Sequence, residues 1–176
     1  MTGLPTEPDV GAIVALFDRH GVAFVLVGGA AATLLGATRQ TFDVDAVVAT
    51  ERANLERAAA ALIEAGARLR IGGMSDDDAR QLVVPLDAEW LARTPISTWQ
   101  TDLGALDLLA GIPDLDGAQV AHASLDERAS AHYVDGIAVR VASLDDIIAS
   151  KRRANRRKDR DALDELEALR SRRETD

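Results

Sequence analysis

Five apolar residues, Ala23-Phe24-Val25-Leu26-Val27, run directly into Gly28-Gly29, and after thirteen more residues the chain reads Asp43-Val44-Asp45-Ala46-Val47-Val48. A short continuous apolar run bounded by glycine is the pattern of a strand covered on both faces. The second stretch predicts another strand, and it opens with two acids. Residues two apart on a strand point to the same side, so the carboxylates of Asp43 and Asp45 are expected together at the strand mouth. Two carboxylates held that close repel each other unless a cation lies between them or one takes up a proton. Hard oxygen donors suit Mg²⁺, which binds one or two protein carboxylates and completes its shell with water and substrate phosphates. The Gly28-Gly29 turn adds the complementary half. Missing side chains let a phosphate approach the backbone, and a helix starting there offers free N–H donors.

Around this pair the chain alternates helical and extended signals. Asp9 predicts a cap for a helix over 10–20 that Gly21 stops. A helix from Ala30 to Leu35 closes at Gly36, Thr50 is expected to cap a helix over 51–65, and Arg68 to Ile71 reads as a third strand. Residues 72–78 are polar and glycine-containing, a mobile loop by composition. Asp87 is placed to cap a short helix through Trp90 and Leu91. Strands over 96–101 and 105–109 flank Asp102-Leu103-Gly104, and Asp135-Gly136 marks a tight hairpin between 131–134 and 137–141. Ser143 with Asp146 resembles a capping box before a helix to about Arg153, and a last helix over 158–171 carries Leu163, Leu166 and Leu169 on one face. The economical reading is one α/β (α+β) domain: a catalytic core over 1–110, a hairpin-containing extension over 111–142 and C-terminal helices over 143–176.

Composition narrows the function classes. The 176 residues contain no cysteine, which excludes disulfides, thiolate catalysis and cysteine-ligated metal, and makes the cytoplasm the expected compartment. No apolar run approaches the roughly 20 residues of a membrane span, and the first residues lack the basic start and apolar stretch of a secretory signal. Aromatics are 3% of the chain, too few for an extensive base-stacking platform. The net charge is −9, yet residues 151–160 hold seven Lys and Arg against one acid, including both lysines of the protein, Lys151 and Lys158. His20, His122 and His132 share no metal-ligand spacing, Trp90 and Trp99 read as core, and Asp76-Asp77-Asp78 lacks the glycine and distal glutamate of a calcium loop.

The order apolar residue, Gly28-Gly29, thirteen residues, Asp43-x-Asp45 resembles the signature of the nucleotidyltransferase superfamily related to DNA polymerase β. The resemblance implies a small mixed β-sheet flanked by helices, with Mg²⁺ on the carboxylates and a nucleoside triphosphate at the Gly28-Gly29 turn. The serine frequent in that family after the first glycine is Gly29 here, so its hydroxyl contact to phosphate is missing. The family's third carboxylate, also a metal ligand, falls on Asp107 or on Asp102. Asp107 is preferred, because an acid between Leu106 and Leu108 on an apolar strand is costly unless paired or metal-bound. A narrower resemblance, to the AbiEii and MenT-like nucleotidyltransferase toxins of bacterial toxin–antitoxin pairs, spans Gly28-Gly29, Arg39-x-Thr41-x-Asp43-x-Asp45, residues 143–151 and Arg157-Lys158-Asp159. Many members of that family have proline where Arg157 stands. It implies a tRNA 3′ end as acceptor and a cognate antitoxin as partner.

Catalytic and metal-binding roles are thus expected at Asp43, Asp45 and Asp107, with Asp107 the base that activates the acceptor. Nucleotide binding is expected at Gly28, Gly29, Arg39, Thr41, Lys151 and Lys158. A triphosphate entering a site of three carboxylates needs cations, and lysine acts on phosphoryl oxygens as a compact point charge. Two plainer readings stand beside these: Arg39 in a salt bridge to a neighbouring acid, and residues 151–160 as an ion-pairing surface. At the level of function, transfer to a protein hydroxyl and a non-catalytic module that binds a protein through its C-terminal helices are the alternatives.

Overall fold

The structure is a computed structural model and describes residues 7–173 and 175. The helix α1 (Val10–Arg19) begins where the Asp9 carboxylate accepts the Ala12 N–H at 2.8 Å, and it buries Ile13, Val14, Leu16 and Phe17. The strand β1 (Phe24–Val27) follows and passes without a side-chain cap into α2 (Gly28–Leu34), two residues earlier than its composition suggests. Next come β2 (Val44–Val48), α3 (Arg52–Glu64), β3 (Arg68–Leu69), α4 (Asp76–Gln81), α5 (Ala88–Arg93), β4 (Ile96–Thr101) and β5 (Gly104–Leu109). The remainder is β6 (Gly111–Pro113), β7 (Gln119–Ala121), α6 (His122–Arg128), β8 (Ser130–Val134), β9 (Ile137–Val141), α7 (Leu144–Ala154) and α8 (Arg157–Arg173).

Seven strands form one mixed sheet in the order β3-β4-β5-β2-β1-β9-β8, while β6 and β7 make a separate two-stranded ribbon. The two most apolar strands, β1 and β2, pair antiparallel near the middle, where both faces are covered; Val25, Leu26, Val44, Ala46 and Val47 are fully buried. On either side, β2 pairs parallel with β5 and β1 parallel with β9. A mixed sheet flanked by helices, ending in two C-terminal helices, is the expected architecture. The 130–141 hairpin lies in this sheet as its edge, turning at Asp135 (φ 49°) and Gly136 (φ 81°), the backbone a two-residue hairpin of matching twist requires.

Local expectations fail where a tertiary partner takes over. Thr50 does not cap α3: the first turn starts from Glu51 without a side-chain cap, and buried Asn54 instead bonds Ala23 N–H, Ala23 C=O and Ala49 C=O, tying the helix to β1 and β2. The polar stretch 72–78 is not all loop, because Ser75 accepts the Asp78 N–H and starts α4, which takes Asp76, Asp77 and Asp78 into its first turn. The elements β6, β7 and α6 are too short to carry a readable period. Trp99 is buried, donates its indole N–H to Ser97 at 2.9 Å, and meets Trp90 edge-on with centroids 5.6 Å apart. These rings belong to the core. Among the described residues no helix is long and apolar enough to cross a membrane.

Candidate active site

Sheet register gathers the chemistry. The antiparallel pairing of β1 with β2 sets Val27 opposite Asp45, and the parallel pairing of β2 with β5 sets Asp45 opposite Asp107. Val27, Asp45 and Asp107 therefore lie in one row across three adjacent strands, with Gly28 next along the chain at the start of α2 and Asp43 just before β2. Gly28 has φ 64°, and a Cβ there would sit 2.0 Å from Asp45 Oδ2. Only glycine meets both conditions. A Cβ on Gly29 would come within 2.6 Å of Thr41 Oγ1, whose hydroxyl donates to the Asp43 carbonyl at 2.8 Å. The space a side chain at position 29 would need is thus taken by Thr41. With seven residues α2 is a short dipole, so the worth of Gly28-Gly29 here is close backbone approach.

The carboxylates are under electrostatic pressure. Burial pushes the Asp45 carboxyl up to about 7, and the negative charges of Asp43 and then Asp107 add to it. Burial also raises Asp107, against the opposing pull of Arg70. Arg70 has no counterpart in the sequence reading: its Nη2 lies 2.7 Å from Asp107 Oδ1 and 3.9 Å from Asp43 Oδ2. The signal available in the sequence was its place in the 68–71 strand, whose partner is invisible without the fold. Asp102 lies at the far turn of the β4–β5 hairpin, exposed and 3.7 Å from Arg68, so Asp107 is the acid beside Asp45.

The opposite wall comes from α7 and α8. Lys151 Nζ is 3.6 Å from Asp159 Oδ1, and Asp159 is fully buried. Burial raises the Asp159 carboxyl, but the Arg156 guanidinium, donating Nε–H at 2.7 Å, the Arg156 backbone N–H and the charge of Lys151 together outweigh it and hold the group below its ordinary range. Lys151 and Lys158 both lie close enough to oppose protonation of Asp45. Arg39 donates to the backbone carbonyl of Asp161 on α8 at 3.1 Å, and its charge also acts on Glu165 of the same helix, in line with the salt-bridge reading. Alongside it, Glu165 accepts both the N–H and the hydroxyl of Thr38 at 2.7 Å, and Arg173 donates to the Leu35 carbonyl at 2.8 Å. The last helix thereby straps the connection that carries Arg39 and Thr41. Both walls face one cleft of about 700 Å³, which includes every residue expected in the site, with Ile96, Leu109, Ile112 and Pro113 as an apolar side.

Much of the basic segment 151–160 is engaged in pairs at the surface of the two C-terminal helices. Arg152 pairs with Glu167 at 2.6 Å, Arg156 with Asp159, and Arg160 donates to the Asn155 carbonyl at 2.6 Å. The histidines lie elsewhere, His20 on Glu64 at 2.5 Å and His132 on Ser130 at 2.9 Å. Among the described residues no three His, Cys, Asp or Glu side chains converge as a metal cluster. Arg70 instead reaches two of the three carboxylates, Asp107 and Asp43. The donor chemistry nonetheless fits Mg²⁺: two adjacent hard carboxylates, one with strongly raised proton affinity, and open cleft for water and phosphate oxygens.

No family model matches the sequence, and no curated protein matches it. Solved structures do. The crystal structure of the lincosamide antibiotic adenylyltransferase LnuA with lincomycin bound superposes with a TM-score of 0.60 at 14% identity, over 93% of this chain and 98% of that one. The solution structure of the antibiotic-resistance factor ANT(2'')-Ia gives 0.52 at 17%, over 93% and 88%. An antigenic nucleotidyltransferase-like protein from Paracoccidioides brasiliensis gives 0.50 at 16%, over 91% and 72%. At these identities the likeness is one of architecture: the chain has the nucleotidyltransferase fold.

Proposed function

We propose that this chain transfers a nucleotidyl group from a nucleoside triphosphate to an acceptor hydroxyl. The observation that carries the reading is the single row Val27, Asp45, Asp107 across β1, β2 and β5, with Gly28 just beyond it, set against Lys151 and Lys158 over one cleft. Asp43 and Asp45, with Asp107, are the residues to hold Mg²⁺; when bound, the ion supplies charge neutralisation and Lewis-acid polarisation of phosphoryl oxygens. The remaining work belongs to the chain. Gly28 and Gly29 admit the phosphates to the backbone, Thr41 offers its hydroxyl beside them, and Lys151, Lys158 and Arg39 offset triphosphate charge. Asp107 takes the acceptor's proton as its oxygen bonds to the α-phosphorus; the α–β bridging bond breaks, and pyrophosphate leaves with that electron pair.

For the acceptor, the AbiEii and MenT-like resemblance supports a tRNA 3′ end, with an antitoxin as the protein that restrains the activity. The engagement of Arg152 and Arg156 with acids of this chain and the apolar side of the cleft favour a second reading, a small hydroxylated molecule. The two neighbours named for antibiotics, LnuA and ANT(2'')-Ia, have the same architecture. The test is incubation with Mg²⁺ and each α-³²P-labelled triphosphate, alongside total RNA or a panel of small hydroxylated molecules that includes lincomycin. Label in RNA selects the first acceptor and label in a small product the second. Absence of pyrophosphate release with every acceptor, from protein that binds triphosphate, would leave the non-catalytic alternative.

A further inference from the structure

Arg70 stands where a counter-ion to the carboxylates belongs. Its backbone N–H donates to the Thr98 carbonyl at 2.8 Å and its carbonyl accepts the Thr98 hydroxyl at 2.5 Å, while Thr98 is the cross-strand partner of Asp107. The side chain therefore starts from a clamped position on the sheet and reaches over β4 to Asp107 and Asp43. One monovalent guanidinium serves two carboxylates, Asp107 and Asp43, while Asp45 feels only the charges of Lys151 and Lys158 across the cleft. We propose that Arg70 is a positioning residue that acts as the built-in counter-cation of this site: without a divalent metal it holds Asp107 and Asp43 in an arrangement that does not close on an ion, and metal binding displaces it. This role rests on the metal-binding reading proposed above for the three carboxylates.

Arginine suits such a role because it stays charged at every physiological pH, so the placeholder does not come and go with protons. Its hold is strong but exchangeable. The contact to Asp107 is a single charge-assisted hydrogen bond rather than a bidentate fork, and the Arg70 side chain is 39% exposed. There is also somewhere to go: residues 71–75 are exposed, and a Cβ added to Gly72 or Gly73 would meet nothing within 4 Å. An incoming divalent ion must break the Arg70 contact before Asp107 can join Asp43 and Asp45. Removing the guanidinium should thus tighten metal binding, the reverse of what loss of a substrate-binding arginine would do to the metal.

The measurement is Mn²⁺ binding, read from the electron paramagnetic resonance signal of the free ion, on wild type, Arg70→Met, Arg70→Lys and Arg68→Met without nucleotide. Arg70→Met should bind Mn²⁺ about tenfold or more tightly than wild type, in line with the loss of one hydrogen bond between charged groups, and Arg70→Lys should fall between. Arg68→Met, whose partner is the remote Asp102, should match wild type. Urea unfolding checks that each variant is native; if Arg70→Met is not, Arg70→Gln carries the same expectation. Equal or weaker Mn²⁺ binding by the neutral variant overturns the counter-cation role and leaves the metal site standing. No Mn²⁺ binding by any of the proteins overturns the metal reading and this inference with it.

Discussion

Replacing Asp45 by Asn should stabilise the metal-free protein, and the gain should depend on pH in a defined way. The Asp45 carboxyl sits at about 7 in the fold against an ordinary 3.8, because burial and the charges of Asp43 and Asp107 disfavour its ionised form. A folded-state value above the unfolded one means that, between the two, the native chain holds a proton the unfolded chain has released. Stability is then full below about pH 4, falls as pH rises towards 7, and levels off above it. The difference in proton affinity between the folded and unfolded chain corresponds to about 4 kcal/mol as a ceiling; because the carboxylate opens onto the cleft, solvent screening reduces this to about 2 kcal/mol. Asn keeps the shape and removes the charge. Urea unfolding of wild type and Asp45→Asn in EDTA, at about pH 4, 6 and 8, should show near equality at the lowest pH and a gain of about 2 kcal/mol for the variant at the highest. A gain independent of pH, or a less stable variant at about pH 8, would refute the claim that Asp45 is a strained carboxylate. Added Mg²⁺ should narrow the difference by stabilising wild type alone.

Gly28→Ala should cost about 2 kcal/mol or more from its positive φ and its collision with Asp45 Oδ2, and the double variant with Asp45→Ala should recover part of that loss, a non-additivity visible in chemical denaturation. Asp159→Ala should destabilise by about 3 kcal/mol by stranding Lys151 and Arg156 from a fully buried carboxylate. Since that carboxyl is held below its ordinary value, its contribution is present at neutral pH and disappears as pH falls through its folded-state value, so wild type and variant should converge in acid melting curves. Lys151→Ala should weaken triphosphate binding by calorimetry far more than Arg172→Ala, whose guanidinium donates to the Ala168 carbonyl of its own helix; comparable losses would mean that overall charge is being measured.

Local chemistry was readable from the chain itself. The Asp9 and Ser143 caps, the Asp135-Gly136 turn and the buried apolar strand before Gly28-Gly29 depend on neighbours within a few residues, and each forms as expected. Asp43 does act on Asp45 at close range, but from the bend just before β2 rather than from the strand itself. What the chain could not disclose is everything that depends on which strand lies beside which. Asp107 reaches Asp45 through a parallel pairing between strands far apart in the sequence, Arg70 arrives through the β3–β4–β5 edge, and Lys151 is aimed by an acid on a different helix. The fate of residues 151–160 makes the same point. Their composition allowed a phosphate-binding segment or an ion-pairing surface; Arg156 pairs locally with Asp159, but Arg152 meets Glu167 only because α7 packs on α8. A periodic pattern records which face of an element is apolar, but charge pairing is decided by distances of a few ångströms between residues far apart in the chain, and those distances exist only after the sheet has chosen its order.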